Sequence, residues 1–250
     1  MELLNKNRLI ERVDVVDSTN SYLKNIVYDK RPEEGSMVIA KFQNAGRGQM
    51  GNGWSSEVGK NLLLSLVIYP DGLLANEQFI ISRMASLAVK NCLDHFVDDI
   101  RIKWPNDIFW KDKKIAGMLI ENDVQGKYIQ NSIIGIGINI NQQGFSEDLP
   151  NPVSLRQITG TDNDIDNIAD IFVREFFLLY REFQDGMSTQ IEDEYMLDLY
   201  RVNDYYWFED KDGSFKAKIK EVMPSGHLVL ETMDEGDLRQ YAFKEVSFVD

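Results

Sequence analysis

The chain has 250 residues, 43% apolar and 11% aromatic, and a formal net charge of −14. That length accommodates one large domain, or one domain with a small appendage, and the apolar content supplies a real core, which excludes intrinsic disorder. A balance this acidic makes a poor general nucleic-acid binder, which needs a basic stripe for phosphates.

The first residues, Met1 to Arg8, lack the apolar core of a signal peptide, and no apolar run approaches the roughly 18 residues of a membrane span. The expectation is a soluble, cytoplasmic chain with no membrane partner. Leu9–Val16 reads as a short strand. Asp17-Ser18-Thr19-Asn20 follows, and Tyr22, Leu23, Ile26 and Val27 then fall at helical spacing. Two readings stand for Ser18, Thr19 and Asn20. They cap the helix, or with its free N–H groups they hold a polar ligand.

Two strands, Met37–Phe42 and Leu62–Tyr69, flank the loop Gln43–Trp54. This loop holds four glycines (Gly46, Gly48, Gly51, Gly53) around one cation, Arg47. Glycines let backbone approach a ligand closely, and inward N–H groups suit an anion. The loop contains a G-x-G-x-x-G from Gly46 to Gly51, and three common nucleotide motifs fail on context. A dinucleotide fingerprint should open a helix, but a β-rich run follows. A kinase needs His-Arg-Asp, and neither His95 nor His227 precedes Arg-Asp. A Walker loop needs a glycine at the position held by Trp54.

A long helix is expected from about Asn76 to Phe96, with Phe79, Ile80, Met84, Leu87 and Ala88 on its core face. Cys92, the only cysteine, belongs to that apolar pattern and reads as core. With one cysteine and two isolated histidines, an internal disulfide is excluded, and a zinc site or histidine triad has no support. Ile100–Trp110 is a strand interrupted by Pro105, which marks a strand end, kink or bulge. Lys103, Trp104, Asn106 and Asp107 crowd that break and suggest a site. Lys111–Lys114 forms a polar turn into the strand Ile115–Glu121. Lys114 enters apolar surroundings, so it needs an anionic partner or must reach water. Tyr128–Ile140 contains a further apolar strand with Gly135 and Gly137, where close approach of backbone or ligand explains the glycines.

From Pro150 to about Tyr200 the pattern turns helical, with Ile165–Phe183 strongly amphipathic. Beyond Val202, short strands (Tyr206–Phe208, Phe215–Val222, Leu228–Glu231, Gln240–Phe243, Val246–Val249) are separated by Asp212-Gly213, Ser225-Gly226 and Glu235-Gly236. Close strand spacing suggests a small barrel, and a domain boundary is expected near residue 201. Residues 1–150 carry 19 acidic and 17 basic side chains, whereas residues 151–250 carry 22 and 10. The near-neutral first part is the better host for an anionic small molecule. The acidic last part reads as a solvated surface, with docking of a partner as the other reading.

Five segments in order, Ser18-Thr19-Asn20, Gly46–Trp54, Lys103-Trp-Pro-Asn-Asp107, Lys114-Ile-Ala-Gly117 and Gly135–Asn139, resemble the biotin protein ligases. The resemblance covers about residues 14–141 by motif. It implies an α+β fold: a mixed-sheet catalytic domain (1–200) of the class II aminoacyl-tRNA synthetase/biotin ligase type, followed by a small C-terminal SH3-like β-barrel (201–250). It also implies two chemical steps. Biotin is activated by ATP, with Mg²⁺, to biotinyl-5′-AMP, and is then transferred to a lysine of a biotin carboxyl carrier protein. Charge develops on phosphate and carboxylate, so fixed cations and N–H groups serve without a histidine.

By position, the resemblance makes Arg47, Lys114, Lys103 and Asp107 the catalytic set, with Asp107 helping to place Mg²⁺ held mainly through phosphates. It makes Ser18, Thr19, Asn20, Gln43, Gly46, Arg47, Gly48, Lys114, Gly117, Gly135 and Gly137 the biotin side. Asn52, Trp54, Asn106 and Asn139 fall on the ATP/adenylate side, with Trp54 stacking on adenine. The Gly-rich loop is expected to order when ligand arrives. Many members carry further basic residues after Gly-Arg-Gly, whereas Gln49, Met50 and Asn52 stand here. Some relatives begin with a DNA-binding helix-turn-helix. Here the first strand starts by about residue 9, so the short form without operator binding is expected. The resemblance admits a homodimer. The alternatives are a lipoate-protein ligase-like adenylating enzyme and a non-catalytic biotin-binding module.

Overall fold

The computed structural model describes residues 7–234 and 236–249. Part of the N-terminal segment read for a signal peptide, and Glu235 of the Glu235-Gly236 turn, lie outside the described residues. The first sheet has seven strands in the order β1-β2-β3-β7-β6-β5-β4. They are β1 (Ile10–Val16), β2 (Met37–Gln43), β3 (Leu62–Ile68), β4 (Ile100–Lys103), β5 (Asp107–Trp110), β6 (Lys113–Gln125) and β7 (Tyr128–Ile138). Only β1 and β2 pair in parallel, joined through helix α1 (Thr19–Lys30). The other pairings are antiparallel, so the sheet is mixed as expected.

Strand alternation assigns the two faces. Leu62, Leu64, Leu66 and Ile68 of β3 join Ile134, Ile136 and Ile138 of β7 in the large core. Helices α2 (Phe79–Asp94), α4 (Ile165–Gln184) and α5 (Ser188–Leu197) cover that face, with short α3 (Leu155–Thr159) preceding α4. Val67 and Ile133, one residue out of phase, pack instead with Leu23 and Val27 of α1. Both faces of β3 and β7 are therefore buried, and this is why these strands read as nearly unbroken apolar runs. Helix α1 covers only part of its face. The rest of that face is where the glycines fall.

The expected Asn76–Phe96 helix is a short 3₁₀ turn, Ala75–Glu77, followed by α2. Cys92 is fully buried, and burial, with Glu175 nearby, pushes its thiol up to about 12. Pro105 ends a strand, as its missing N–H requires: β4 stops at Lys103, the Trp104–Pro105 peptide is cis, and β5 starts at Asp107. The Ile115–Glu121 strand extends at both ends, because β6 and β7 form one long antiparallel ladder.

Strands β8 (Tyr206–Asp210), β9 (Gly213–Val222), β10 (Leu228–Thr232), β11 (Leu238–Tyr241) and β12 (Val246–Phe248) form a separate antiparallel five-stranded sheet, ordered β11-β10-β9-β8-β12. Its inner residues Phe208, Ile219 and Leu228 belong to the large core. Arg83 of α2 is buried; it pairs with Glu192 of α5 and donates to the Val222 carbonyl at the end of β9. Its guanidinium lies 5.7 Å from the Phe79 ring and 6.0 Å from the Tyr195 ring. Among the described residues, no helix is long and apolar enough to cross a membrane.

Candidate functional site

A cleft of about 540 Å³ opens on the α1 face of the large sheet. Its floor follows from register. Gly117 of β6 lies opposite Gly137 of β7, and Leu119 lies opposite Gly135, which in turn pairs with Ser65 of β3. On the other side of Gly117 the row continues through Asp107 of β5 to Lys103 of β4. Three glycines thus leave room over the backbone between a polar end and a charged end, and the Trp54 and Asn20 side chains lie against it. A side chain there meets resistance. A Cβ at Gly137 would lie 2.6 Å from Trp54 Cζ2, and one at Gly135 would lie 2.9 Å from Asn20 Cγ.

The start of α1 forms the polar end. Ser18 occupies the N-cap position, yet its side chain makes no capping hydrogen bond. Ser18, Thr19 and Asn20 are all buried and line the cleft. The Thr19 N–H donates to Gln43 Oε1 at 2.8 Å. Ser65 Oγ lies 2.7 Å from Thr19 Oγ1 and 2.6 Å from Asn20 Oδ1. Asn20 Nδ2 donates to Leu119 O at 3.1 Å and to Glu121 Oε2 at 2.8 Å. A network with its members this well partnered holds hydrogen-bonding groups in fixed directions.

The other end carries the charges. Lys114 has the anionic partner its sequence context demands: its Nζ lies 2.6 Å from Asp107 Oδ1. Both side chains are about a third exposed and reach the cleft. The Lys103 ammonium sits over three rings, 4.5 Å from Phe109, 5.1 Å from Phe248 and 5.7 Å from Tyr200. Burial, with a hydrogen bond to Asp112, pushes the Tyr200 hydroxyl up to about 12, so it stays neutral beside that cation. Asn106 is pinned to β6: its Nδ2 donates to Met118 O at 2.6 Å, and its own carbonyl accepts from the Met118 N–H.

The Gly-rich loop folds over this floor as a small hairpin. The Gly48 N–H donates to Asn52 O at 2.6 Å, the Trp54 N–H donates to Gly46 O at 2.8 Å, and Arg47 bridges to Gly53. A Cβ at Gly46 would collide with the Trp54 carbonyl, so this crossing requires glycine. The Trp54 indole lies against Gly117 and Gly137, with its Nε1 buried and unpartnered. The Lys114 ammonium lies 5.9 Å from the indole ring.

Most of the expected site residues come together here. Ser18, Thr19, Asn20, Gln43, Arg47, Gly48, Asn52, Trp54, Lys103, Asn106, Asp107, Lys114, Gly117, Gly135 and Gly137 all line the cleft. Two do not. Gly46 shapes the hairpin behind it. Asn139 is buried below it, donating to Val153 O at 3.2 Å. Arg47 and Lys114 both reach the cleft but are held apart, since Arg47 forks onto Glu121 at 2.7 and 3.1 Å.

Sequence reasoning missed Ser65 and Glu121, which bond to the lining residues Thr19, Asn20 and Arg47, and a rim from the C-terminal part that includes Phe243, Val246 and Phe248. Ser65 had a signal, as the one polar residue in Leu62–Ile68. Glu121 lies in strand phase with Gly117. The rim had none. Trp104 carries that rim to the site: it is buried, its Nε1 donates to Gly226 O at 2.9 Å, and its ring meets Phe243 edge-on. This one member of the Lys103–Asp107 cluster works mainly as a strut.

The fold and cleft define an α+β small-molecule-binding protein whose slot has a neutral hydrogen-bonding head and a cationic tail. Residues 13–139 match the model of the biotin/lipoate A/B protein ligase family, and the chain belongs to that family. The bifunctional ligase/repressor BirA of Bacillus subtilis is 31% identical over 236 residues, covering 92% of this chain and 71% of that relative. The biotin--[acetyl-CoA-carboxylase] ligase of Paracoccus denitrificans is 33% identical over 147 residues, covering 56% of this chain and 60% of that relative. Among solved structures, the biotin protein ligase from Aquifex aeolicus in complex with biotin and ATP superposes with a TM-score of 0.77. It shares 23% identity and covers 96% of this chain and 97% of that one, a likeness of fold.

Proposed function

We propose that the chain is a biotin protein ligase. It joins biotin to AMP and passes the biotinyl group to a lysine of a biotin carboxyl carrier protein. In the first step a biotin carboxylate oxygen attacks the α-phosphorus of ATP, the bond to the β-phosphate bridging oxygen breaks, and pyrophosphate leaves. In the second, the neutral lysine amine attacks the acyl carbon, AMP leaves, and the amine loses a proton to form the amide. One observation carries the reading: a glycine floor runs from the Thr19–Asn20–Ser65 network to the Lys114–Asp107 pair. A flat bicycle with a ureido head and an anionic tail suits that sequence of environments.

In this reading Ser18, Thr19, Asn20 and Gln43 hold the head. Gly117, Gly135 and Gly137 let the rings rest on backbone, with Gly46 and Gly48 shaping the loop above. Lys114, Lys103 and Arg47 take the charge that develops on carboxylate and phosphate. Asn52, Trp54 and Asn106 meet the nucleotide, and the loop closes over the mixed anhydride and screens it from water. Asn139 supports the nucleotide side from below, through the backbone it anchors. Mg²⁺ bound to ATP would neutralise phosphate charge, and Asp107 is the carboxylate placed to meet it. A single carboxylate fits an ion that usually keeps its waters and substrate phosphates; among the described residues there is no group of three or more metal-binding side chains. We also take residues 201–250 as a small appended domain, supported by β8–β12 pairing among themselves.

The test is pyrophosphate release from Mg-ATP with biotin, with lipoate and with neither, before any acceptor is added. Release with biotin alone is expected. Release with lipoate alone would assign the chain to lipoate activation instead, and silence with all three would reduce it to a binding module.

A further inference from the structure

Arg47 is the only cation between Gln43 and Trp54. In the reading above, it must meet a ligand anion near Lys114. In the structure Arg47 is held elsewhere. Glu121 grips it with both carboxylate oxygens, Oε2 to Nη2 at 2.7 Å and Oε1 to Nη1 at 3.1 Å. Glu121 lies beyond Gly117 and Leu119 on β6, at the polar end of the floor, whereas Lys114 and its own partner Asp107 hold the opposite end. The same Glu121 Oε2 accepts from Asn20 Nδ2, so one carboxylate touches both the loop and the head network.

We propose that Glu121 is a positioning residue that parks the Gly-rich loop by holding Arg47 at the head end of the cleft. An arriving carboxylate or phosphate then competes with Glu121 for the guanidinium, and release of Arg47 is tied to arrival of ligand charge. The role deepens the biotin-activating reading and rests on it. The Arg47 and Glu121 side chains are 43% and 26% exposed. A pair this open to solvent biases a loop by only about 1.5-fold to fivefold, and salt weakens it. Such a bias holds the loop without trapping it.

Glu121→Gln separates the two contacts, because its amide oxygen still accepts from Asn20 while the charge facing Arg47 is gone. The first readout needs no ligand: the rate at which trypsin cuts after Arg47, followed by mass spectrometry and normalised to a second exposed site in the same chain. The expected result is about 1.5-fold to fivefold faster cutting in Glu121→Gln. Raising salt from about 0.05 to 0.5 M should speed cutting in the parent chain and leave the variant unchanged. The second readout is pyrophosphate release, where the KM for biotin should fall severalfold with kcat within about twofold. Equal cutting in both chains, or a kcat loss of more than about tenfold at constant KM, would overturn the proposal; the latter would mean that Arg47 keeps Glu121 through the reaction. If Glu121→Gln does not fold, the salt response of the parent chain decides the matter. If biotin releases no pyrophosphate, the functional reading fails, while the trypsin arm still rules on the latch.

Discussion

Arg47 shows how much one residue carries when its neighbours are neutral. Gln49 and Asn52 add no charge beside it, so its removal leaves the loop with no cation for developing phosphate charge. Arg47→Ala should cut biotin-dependent pyrophosphate release by about 100- to 1,000-fold, the scale seen when one electrostatic stabiliser is lost. Far-UV circular dichroism should be unchanged, because the side chain is partly exposed and pairs with Glu121, itself open to solvent. Retention of most of the activity would assign the work to Lys114 and Lys103 instead. The residue scale is also where sequence reading did best. Lys114 in an apolar strand called for an anion, and Asp107 stands 2.6 Å away. Ser18 was ambiguous because hydroxyl residues before a helix usually cap it. Only the structure shows that Ser18 makes no capping bond and that Thr19 and Asn20 turn into a side-chain network.

At the scale of the element, β7 is the informative piece. Its apolar residues alternate between two cores, and its glycines mark the stretch where Asn20 and Trp54 lie close against the backbone. Gly137→Ala places a methyl group where the Trp54 indole now lies. Alanine suits an extended strand better than glycine does, so the fold should persist while the Trp54 ring and any ligand on the same floor are displaced. The KM for biotin in pyrophosphate release is expected to rise at least about tenfold, the cost of overpacking a fitted contact. An unchanged KM would show that ligand does not use this surface. The strands were legible because period-two patterning and apolar runs are local. Element ends were less so: the α2 helix starts three residues after the expected Asn76, since a 3₁₀ turn intervenes.

At the scale of the whole molecule, the second sheet is fastened to the first through buried polar contacts as well as apolar packing. Arg83 links α2, α5 and the end of β9, and Trp104 links the β4–β5 connection to Gly226. Arg83→Met keeps much of the packing but removes those polar contacts and leaves the Val222 carbonyl short of a donor. A loss of about 2 kcal/mol is expected, at the low end for a buried pair because Glu192 is partly exposed and can rehydrate. In a chain of this size that lowers the melting midpoint by about 4–8 °C, which scanning calorimetry measures. An unchanged midpoint would mean that apolar packing and the Trp104–Gly226 bond hold the sheets together without Arg83.

The ordered motifs, the glycines around one arginine, the broken strand at Pro105 and the amphipathic helices are properties of neighbouring residues, and from these the chain by itself determined its family, its α+β class and most of its cleft. Tertiary structure decided what depends on residues far apart. It set Glu121 against Arg47, 74 positions away. It brought Phe243 and Phe248 to the rim, and it sent Asn139 beneath the cleft rather than into it. The physical reason is register. Two strands that pair one residue differently would turn strand side chains such as Glu121 and Phe248 to the opposite face, and no local pattern in the sequence states which segment a given carboxylate will meet across the fold.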